Sequence, residues 1–163
     1  MKALAIAALI VTIAGAGAVL YGINTFAPVV EQASVLVTPA AQAQDIFDQA
    51  TAQVRDGTFT GRVFGDAAGL DAQDCTFLTV TVRLANRGFF PAEWIALDVQ
   101  PAEGDVLQLD NVQANVLPSS SQGDVSATIL RAGNAADTQR AFTVSCYVFG
   151  RKVTLQGSAK EGA

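Results

Sequence analysis

The sequence predicts a mainly β protein: an antiparallel β-sandwich preceded by an N-terminal transmembrane or signal helix and a short amphipathic helix. Charged side chains are absent between Lys2 and Glu31. From Thr58 onward, apolar residues repeat every second position, as in strands, and turn-forming residues separate about eight such segments. We therefore divide the chain into a membrane anchor or signal segment (1–27), a linker with a helix (28–57), a β-sandwich domain (58–157) and a tail (158–163).

The first segment contains an uncharged, apolar stretch at residues 3–23. As a helix, these 21 residues would be ~31 Å long, enough to cross the ~30 Å hydrocarbon core of a bilayer. Lys2 predicts that the N-terminus stays in the cytoplasm and that the remainder lies outside it. We favour an uncleaved single-pass anchor. A cleaved signal peptide is the alternative, because ten of the 21 residues are Ala or Gly and small-residue cleavage patterns occur at 14–16 and 16–18.

The linker contains a predicted helix over about residues 38–56. Thr38 is a good N-cap, Pro39 suits the first helical position, and Gly57 can end the helix in the left-handed conformation. Its apolar side chains fall on one face at helical spacing: Ala43, Ile46, Phe47, Ala50 and Val54. We expect this face to pack on the following domain, with a partner helix as the alternative.

The β-sandwich domain is predicted from alternating apolar residues. The clearest strand covers residues 75–85, where alternate side chains face inward: Leu78, Val80, Val82 and Leu84. Residues 94–100, 125–129 and 142–148 show the same alternation. Short strands at this spacing favour an antiparallel sandwich. The end of the chain, residues 157–163, is predicted to fray.

Cys75 and Cys146 are the two cysteines of the chain. In an oxidising compartment, two cysteines of one exported domain most simply pair, so we predict a disulfide between them. Cys75 is out of phase with the inward-facing residues of its strand, so the bond requires a bulge or a position before the strand. Two buried free thiols are the alternative.

Phe89, Phe90 and Trp94 form the candidate binding patch. The two phenylalanines lie in a predicted turn, and the loops of sandwiches often carry binding function. If exposed, they would form a contact patch; alternatively, one or both rings plug the end of the sandwich. Trp94 is interpreted as a core residue, which we favour, or as an exposed aromatic that stacks on a sugar ring.

The composition argues against several functions. The chain has no histidine, which removes the commonest general base and transition-metal ligand. Two cysteines cannot build a zinc site alone, and the acidic loop with Asp66, Asp71 and Asp74 lacks the spacing of a calcium loop. A net charge of -5 without a basic stripe argues against nucleic acid. We predict no cofactor, no metal, no catalytic residue and no enzyme activity; a carboxylate-only mechanism is the remaining enzymatic alternative.

Residues 79–99, TVTVRLANRGFFPAEWIALDV, combine an alternating strand, an Asn-x-Gly turn, Pro-Ala and a second alternating strand. This segment resembles the start of fibronectin-III-like and late-embryogenesis-abundant-type or CARDB-like sandwiches, and the resemblance extends over roughly residues 75–157. It implies an immunoglobulin/fibronectin-III-like sandwich of the kind found on bacterial and archaeal surface proteins. It also implies adhesion, spacing or partner recognition, and it assigns no catalytic residue.

We therefore predict a membrane-anchored, extracytoplasmic β-sandwich with a non-enzymatic role in binding, spacing or envelope assembly. Its partners would be the membrane, through the N-terminal helix, and a protein or glycan. One alternative is a carbohydrate- or protein-binding module that is secreted after signal cleavage. Another is a subunit of a filament or envelope complex that packs through its N-terminal helix.

Overall fold

The structure, a computed structural model, describes residues 12–19, 21, 27–109, 115–133 and 139–161. Residues 12–19 and 21 are helical, and the rest of the apolar stretch 3–23 lies outside the described residues. Within the described ranges, no helix is both long enough and apolar enough to cross a membrane. The fold is mainly β, as predicted.

In the part of the chain that the structure describes, nine strands and one complete helix follow in chain order. The strands are β1 (Val29–Pro39), β2 (Arg62–Val63), β3 (Cys75–Asn86), β4 (Ala92–Val99), β5 (Asp105–Leu109), β6 (Val116–Leu117), β7 (Ser121–Ala132), β8 (Arg140–Val148) and β9 (Arg151–Glu161). Helix α1 covers Gln44–Arg55, and 3-10 turns lie at Ala40–Ala43 and Ala72–Asp74.

The described strands form one curled sheet in the order β2-β5-β7-β3-β1-β9-β8-β4-β6. The sheet folds over into two layers, with β2, β5, β7, β3 and β1 in the first and β9, β8, β4 and β6 in the second. Adjacent strands are antiparallel except β1 and β9, which pair in parallel at Ser34–Lys160 and Val35–Glu161. The expectation of a purely antiparallel sandwich was therefore wrong: the parallel pair joins the layers and makes the sheet mixed.

The main core lies between the two layers. It follows the predicted alternation on β3, where Leu78, Val80, Val82 and Leu84 are almost fully buried. Facing them are alternate residues of the second layer, among them Leu97, Val99, Phe142 and Val144. Burial of one face of each strand drives this packing, because each fully buried aliphatic side chain contributes roughly 1.5–3 kcal/mol.

A second core covers the opposite face of the first layer. Phe77 of β3 and Leu130 of β7 face away from the main core and pack with Phe47 and Ala50 of α1. The helix begins at Gln44, later than predicted, because the chain remains in β1 through Pro39 and then makes a 3-10 turn. Gly57 follows the helix with a φ of 70°, the left-handed conformation expected of it.

The strand directions define two ends of the sandwich. At the upper end, β1 begins, β3 ends and β7 begins, since Val29 pairs with Ala85 and Asn86 pairs with Ser121. Strand β9 begins there as well, because it runs parallel to β1. The upper end therefore carries the turns 87–91, 118–120 and 149–150, and it is where the N-terminal segment joins the domain. The lower end carries α1 and the starts of β5 and β8.

Candidate binding surface at the upper end

Trp94 lies on a β-bulge in β4. Glu93 pairs with Tyr147 of β8, but the next registered pair is Ala96 with Ser145, so β4 has one extra residue between them. Two consecutive residues, Glu93 and Trp94, therefore face outward between the buried Ala92 and Ile95. Bulges of this kind re-aim side chains. The core position favoured for Trp94 was wrong: its side chain is 70% exposed because the bulge turns it to the surface.

The backbone at Trp94 is strained. Its φ is 52°, in the left-handed region that large side chains rarely adopt. Its amide donates a hydrogen bond of 2.7 Å to the carbonyl oxygen of Asn115, which helps to hold this conformation. Such strain costs on the order of 1–3 kcal/mol and occurs mainly where function requires it.

Phe149 is the second strained aromatic residue of this end. It forms the two-residue β8–β9 turn with Gly150, and both residues have positive φ, at 49° and 73°. Turns of this geometry favour Asn-Gly, so a phenylalanine at the first position is unusual. The Phe149 ring is 66% exposed and lies 4.9 Å from the Phe90 ring, centroid to centroid.

Phe89 and Phe90 lie in the turn between β3 and β4 and have different environments. Phe90 is half-buried and packs against the main core, whereas Phe89 is 79% exposed. The buried Asn86 side chain fixes this turn. Its Nδ2 donates to the carbonyl oxygens of Phe90, Leu117 and Pro118, and its Oδ1 accepts from the Gly88 amide. These hydrogen bonds hold the turn that carries Phe89 and Phe90 in one conformation.

We call the aromatic side chains of this end the aromatic patch: Phe89, Phe90, Trp94, Tyr147 and Phe149. Tyr147 belongs to it because the β4–β8 register sets it opposite Glu93. A shallow cleft of about 330 Å³ lies within the patch, lined by Glu93, Trp94, Tyr147 and Gly150. Aromatic rings beside one carboxylate can stack on a flat apolar face and accept hydrogen bonds from hydroxyl groups.

The charges around the aromatic patch differ in sign from those of the whole chain. The upper end exposes three cationic side chains, those of Arg87, Arg151 and Lys152. It exposes two carboxylates, those of Glu31 and Glu93. Glu31 accepts from Arg87 at 3.0 Å and from Gln122 at 2.8 Å. Three of the ten lysines and arginines thus lie at this end of a chain whose net charge is -5. The upper end is consequently less acidic than the rest of the molecule.

The predicted disulfide between Cys75 and Cys146 is absent, and both are buried free thiols. Cys146 faces the main core from β8, whereas Cys75 belongs to the second core on the other side of the first layer. The reason is the two-residue period of β3: Cys75 and Leu78 differ by an odd number of positions and point to opposite faces. Burial raises the pKa of both thiols, and Asp74 and Asp71 raise that of Cys75 further.

Three carboxylates of the domain interact with the backbone or with a cation. Asp66 accepts from the Ala68 amide and Asp71 from the Gln73 amide, as in ordinary turns. Asp105 accepts from Arg140 and from the Ala102 amide. Within the described part of the chain, no group of three or more Cys, Asp or Glu side chains has an arrangement that could hold a metal ion.

The chain is similar in structure to two β-sandwich proteins. One is the GAE domain of yeast GGA1, with a TM-score of 0.39 and 20% identity, covering 50% of this chain and 76% of that one. The other is the cupredoxin domain of amoB from Nitrosocaldus yellowstonii, with a TM-score of 0.31 and 18% identity, covering 83% and 87%. No protein family and no curated sequence matches the chain. At these TM-scores, neither structure carries an argument about function.

The sequence indicated three residues of the patch but not its extent. Tyr147 was recognisable as an outward-facing residue of its strand, yet nothing in the sequence sets it beside Glu93 and Trp94. Phe149 precedes Gly150, a residue type that favours turns, but the sequence does not set this turn beside Phe90. The positive φ angles of Trp94 and Phe149 had no sequence signal, because neither residue type favours that conformation.

Proposed function

We propose that this protein is a non-enzymatic module of a membrane surface. Its N-terminal segment anchors it in the membrane, its β-sandwich lies outside the cytoplasm, and the aromatic patch is its binding surface. The observation that carries the proposal is the exposure of several aromatic side chains at the end of the sandwich where the N-terminal segment joins it.

The patch has the properties of a binding surface rather than of incidental exposure. Contiguous apolar groups at a protein surface cost solubility and generally mark contacts with a partner. Here two members, Trp94 and Phe149, are also held in strained backbone conformations that expose them. The Asn86 hydrogen bonds and the two-layer core supply the rigidity that recognition by a preformed surface requires.

In a chain without histidine, carboxylates are the remaining candidates for general acid or base catalysis. The proposed non-enzymatic role is supported by the interactions that occupy three of them. Asp105 is committed to Arg140, and Asp66 and Asp71 cap backbone turns. The resemblance to surface sandwiches such as fibronectin-III-like domains supports the same role, adhesion or partner recognition.

Membrane anchoring is tested with the full chain expressed in bacteria. Ile13 lies at the centre of residues 3–23, and a lysine there costs roughly 2.5–3.5 kcal/mol of insertion free energy. We expect the unaltered chain and the control Ile13→Leu to float with membranes in a density gradient and to resist carbonate extraction. Ile13→Lys should move to the soluble fraction. If carbonate releases the unaltered chain and Ile13→Leu as completely as it releases Ile13→Lys, the anchor is refuted.

The side of the membrane is tested with an impermeant maleimide on intact spheroplasts. Both native thiols are buried, so a chain carrying Gln100→Cys, at an exposed position of the lower end, reports on its own site. Labelling without lysis is expected for an extracytoplasmic domain. Labelling that requires lysis would contradict that localisation.

A secreted glycan-binding module is the second candidate, and the cleft lined by Glu93, Trp94 and Tyr147 favours it. It requires removal of the N-terminal segment, so the mass of the mature protein distinguishes the two. A mature N-terminus after residue 16 or 18, with polysaccharide binding that Trp94→Ala abolishes and Ile46→Ala leaves intact, would support this candidate over the anchored one.

A further inference from the structure

We propose that the aromatic patch rests on the lipid surface of the membrane that holds the N-terminal segment. The partner of this binding surface is then the bilayer interface itself. The upper end of the sandwich faces the bilayer, and the lower end points away from it. This inference rests on the proposed membrane anchoring and adds to it the orientation of the domain and the chemistry of its contact.

The length of chain between anchor and domain carries the argument. The apolar stretch ends at Ile23, and Pro28 is already buried in the domain, immediately before β1. The five steps of chain from Ile23 to Pro28 span at most ~18 Å. Val19, in the helical part of the apolar stretch, also packs against the main core, which places the end of that stretch against the domain and not inside the bilayer. An anchored chain therefore holds the upper end within a short distance of the bilayer, too close for a folded protein partner to fit between.

The side chains at this end match the chemistry of the interface. Trp and Tyr are enriched at the level of lipid headgroups, since their rings are apolar while their N–H and O–H groups remain hydrogen-bonded to water or headgroups. Trp94 and Tyr147 supply these groups, and the exposed rings of Phe89 and Phe149 are suited to the adjoining acyl region.

The charge distribution favours the same orientation. Arg87 lies in the same turn as Phe89, Arg151 follows Gly150, and Lys152 pairs with Tyr147. Basic groups beside a membrane are attracted to anionic headgroups. The remainder of the chain is acidic and is repelled by them, since the net charge is -5. An anionic bilayer thus attracts the upper end and repels the others.

Trp94 is the single tryptophan of the chain and reports directly on the patch. The full chain is reconstituted in vesicles of equal phosphatidylcholine and phosphatidylglycerol, with or without lipids brominated near the top of the acyl chain. We expect the Trp94 emission to shift to the blue relative to the exposed side chain, to lose most of its intensity with brominated lipid, and to be protected from aqueous iodide.

A matched control moves the probe to the opposite end. In the chain carrying Trp94→Phe and Ile46→Trp, the tryptophan lies on an exposed position of α1. Its fluorescence should respond to iodide and not to brominated lipid. Equal quenching of both probes by brominated lipid would overturn the proposed orientation.

Failure of this inference is distinguishable from failure of the anchor. Vesicle flotation is measured on the same samples. If the chain floats, but iodide quenches Trp94 and brominated lipid does not, the anchor is supported and the lipid contact of the patch is refuted. A chain that does not float overturns both. Protection from iodide that grows with protein-to-lipid ratio, without quenching by brominated lipid, would assign the patch to a second copy of the chain instead.

Discussion

Arg140 and Asp105 form an ion pair in the interior of the lower end, with 3.1 Å between Nη2 and Oδ1. Their side chains are 1% and 0% exposed. Arg140 begins β8 in the second layer and Asp105 begins β5 in the first, so the pair ties the two layers together. Asp105 is held on its other oxygen by the Ala102 amide, at 2.8 Å.

Removing one partner of this pair should be strongly destabilising. Asp105→Asn or Arg140→Met leaves an uncompensated buried charge or an unmatched polar group, at a cost of about 3–5 kcal/mol in the free energy of unfolding. Urea unfolding followed by circular dichroism measures it. Arg83→Met, which removes one partner of an exposed ion pair, is the control and should have a much smaller effect. The double change Asp105→Leu with Arg140→Met should recover part of the loss, and no recovery would mean that the pair acts through more than its charges.

The exposed Arg83–Asp124 pair predicts a shifted acid titration. Arg83 donates to both carboxylate oxygens of Asp124, at 2.8 and 2.9 Å, and these hydrogen bonds hold the pKa of Asp124 below its usual value. A lowered folded-state pKa contributes stability that is present above the unfolded value of ~3.9 and is lost as the pH falls through the folded value. Carbon-detected NMR titration should give Asp124 a midpoint below that value, and Arg83→Met should raise the midpoint. An unchanged midpoint would contradict the role of Arg83.

The two thiols should be unreactive in the folded protein. Burial and a raised pKa both reduce the amount of accessible thiolate, which is the reacting species. Ellman's reagent at pH 8 should find no reactive thiol in the native chain and two after denaturation. The control Gln100→Cys should add one fast-reacting thiol. Because Cys75 and Cys146 lie on opposite sides of the first layer, a reducing agent should leave the urea midpoint unchanged; a lowered midpoint would indicate a disulfide.

The strain at Trp94 predicts an unusual response to glycine. Trp94→Gly removes about 1–3 kcal/mol of backbone strain and adds only the entropic cost of glycine, about 0.5–1 kcal/mol. The largely exposed ring contributes little packing to offset this gain, so the free energy of unfolding should stay level or rise. On the same strand, Ala96→Gly should lower it by about 0.5–1 kcal/mol, since Ala96 has ordinary backbone geometry. Urea midpoints of the two variants decide this, and equal destabilisation would mean that Trp94 is not strained.

Asn86 should couple the fold to the aromatic patch. Asn86→Ala leaves the Gly88 amide and the carbonyls of Phe90, Leu117 and Pro118 without these bonds, at a cost of about 1–3 kcal/mol. Hydrogen exchange should accelerate at the amides of residues 87–90 and of Leu117 before it does in β8. If exchange rises uniformly through the sheet instead, the turn is not supported by Asn86 in particular.

The strands that could be predicted are those with one face in the main core. Strands β3, β7 and β8 show regular alternation because each is half-buried over most of its length. Strand β1 was missed: its residues are mostly exposed or intermediate, with Val35 alone buried, so no period stands out. Strand β9 runs to Glu161, into the predicted tail, where Ala159 is buried against β8.

The candidate binding patch was also predicted only in part from the sequence. Phe89 and Trp94 of the predicted patch are exposed, and Phe90 supports them from the margin of the core. Trp94 was assigned to the core because tryptophan is usually largely buried, and a bulge outweighed that preference.

Local pattern is enough to predict the mainly β class, the apolar N-terminal stretch and most inward-facing residues, since side-chain alternation and hydropathy depend on neighbouring residues alone. Which surfaces meet is decided by pairings between distant parts of the chain. The parallel contact of β1 with β9 sets which end adjoins the N-terminal segment, and the extra residue in β4 turns Trp94 outward beside Tyr147. The separation of Cys75 from Cys146 likewise arises only when the first layer has a core on each face.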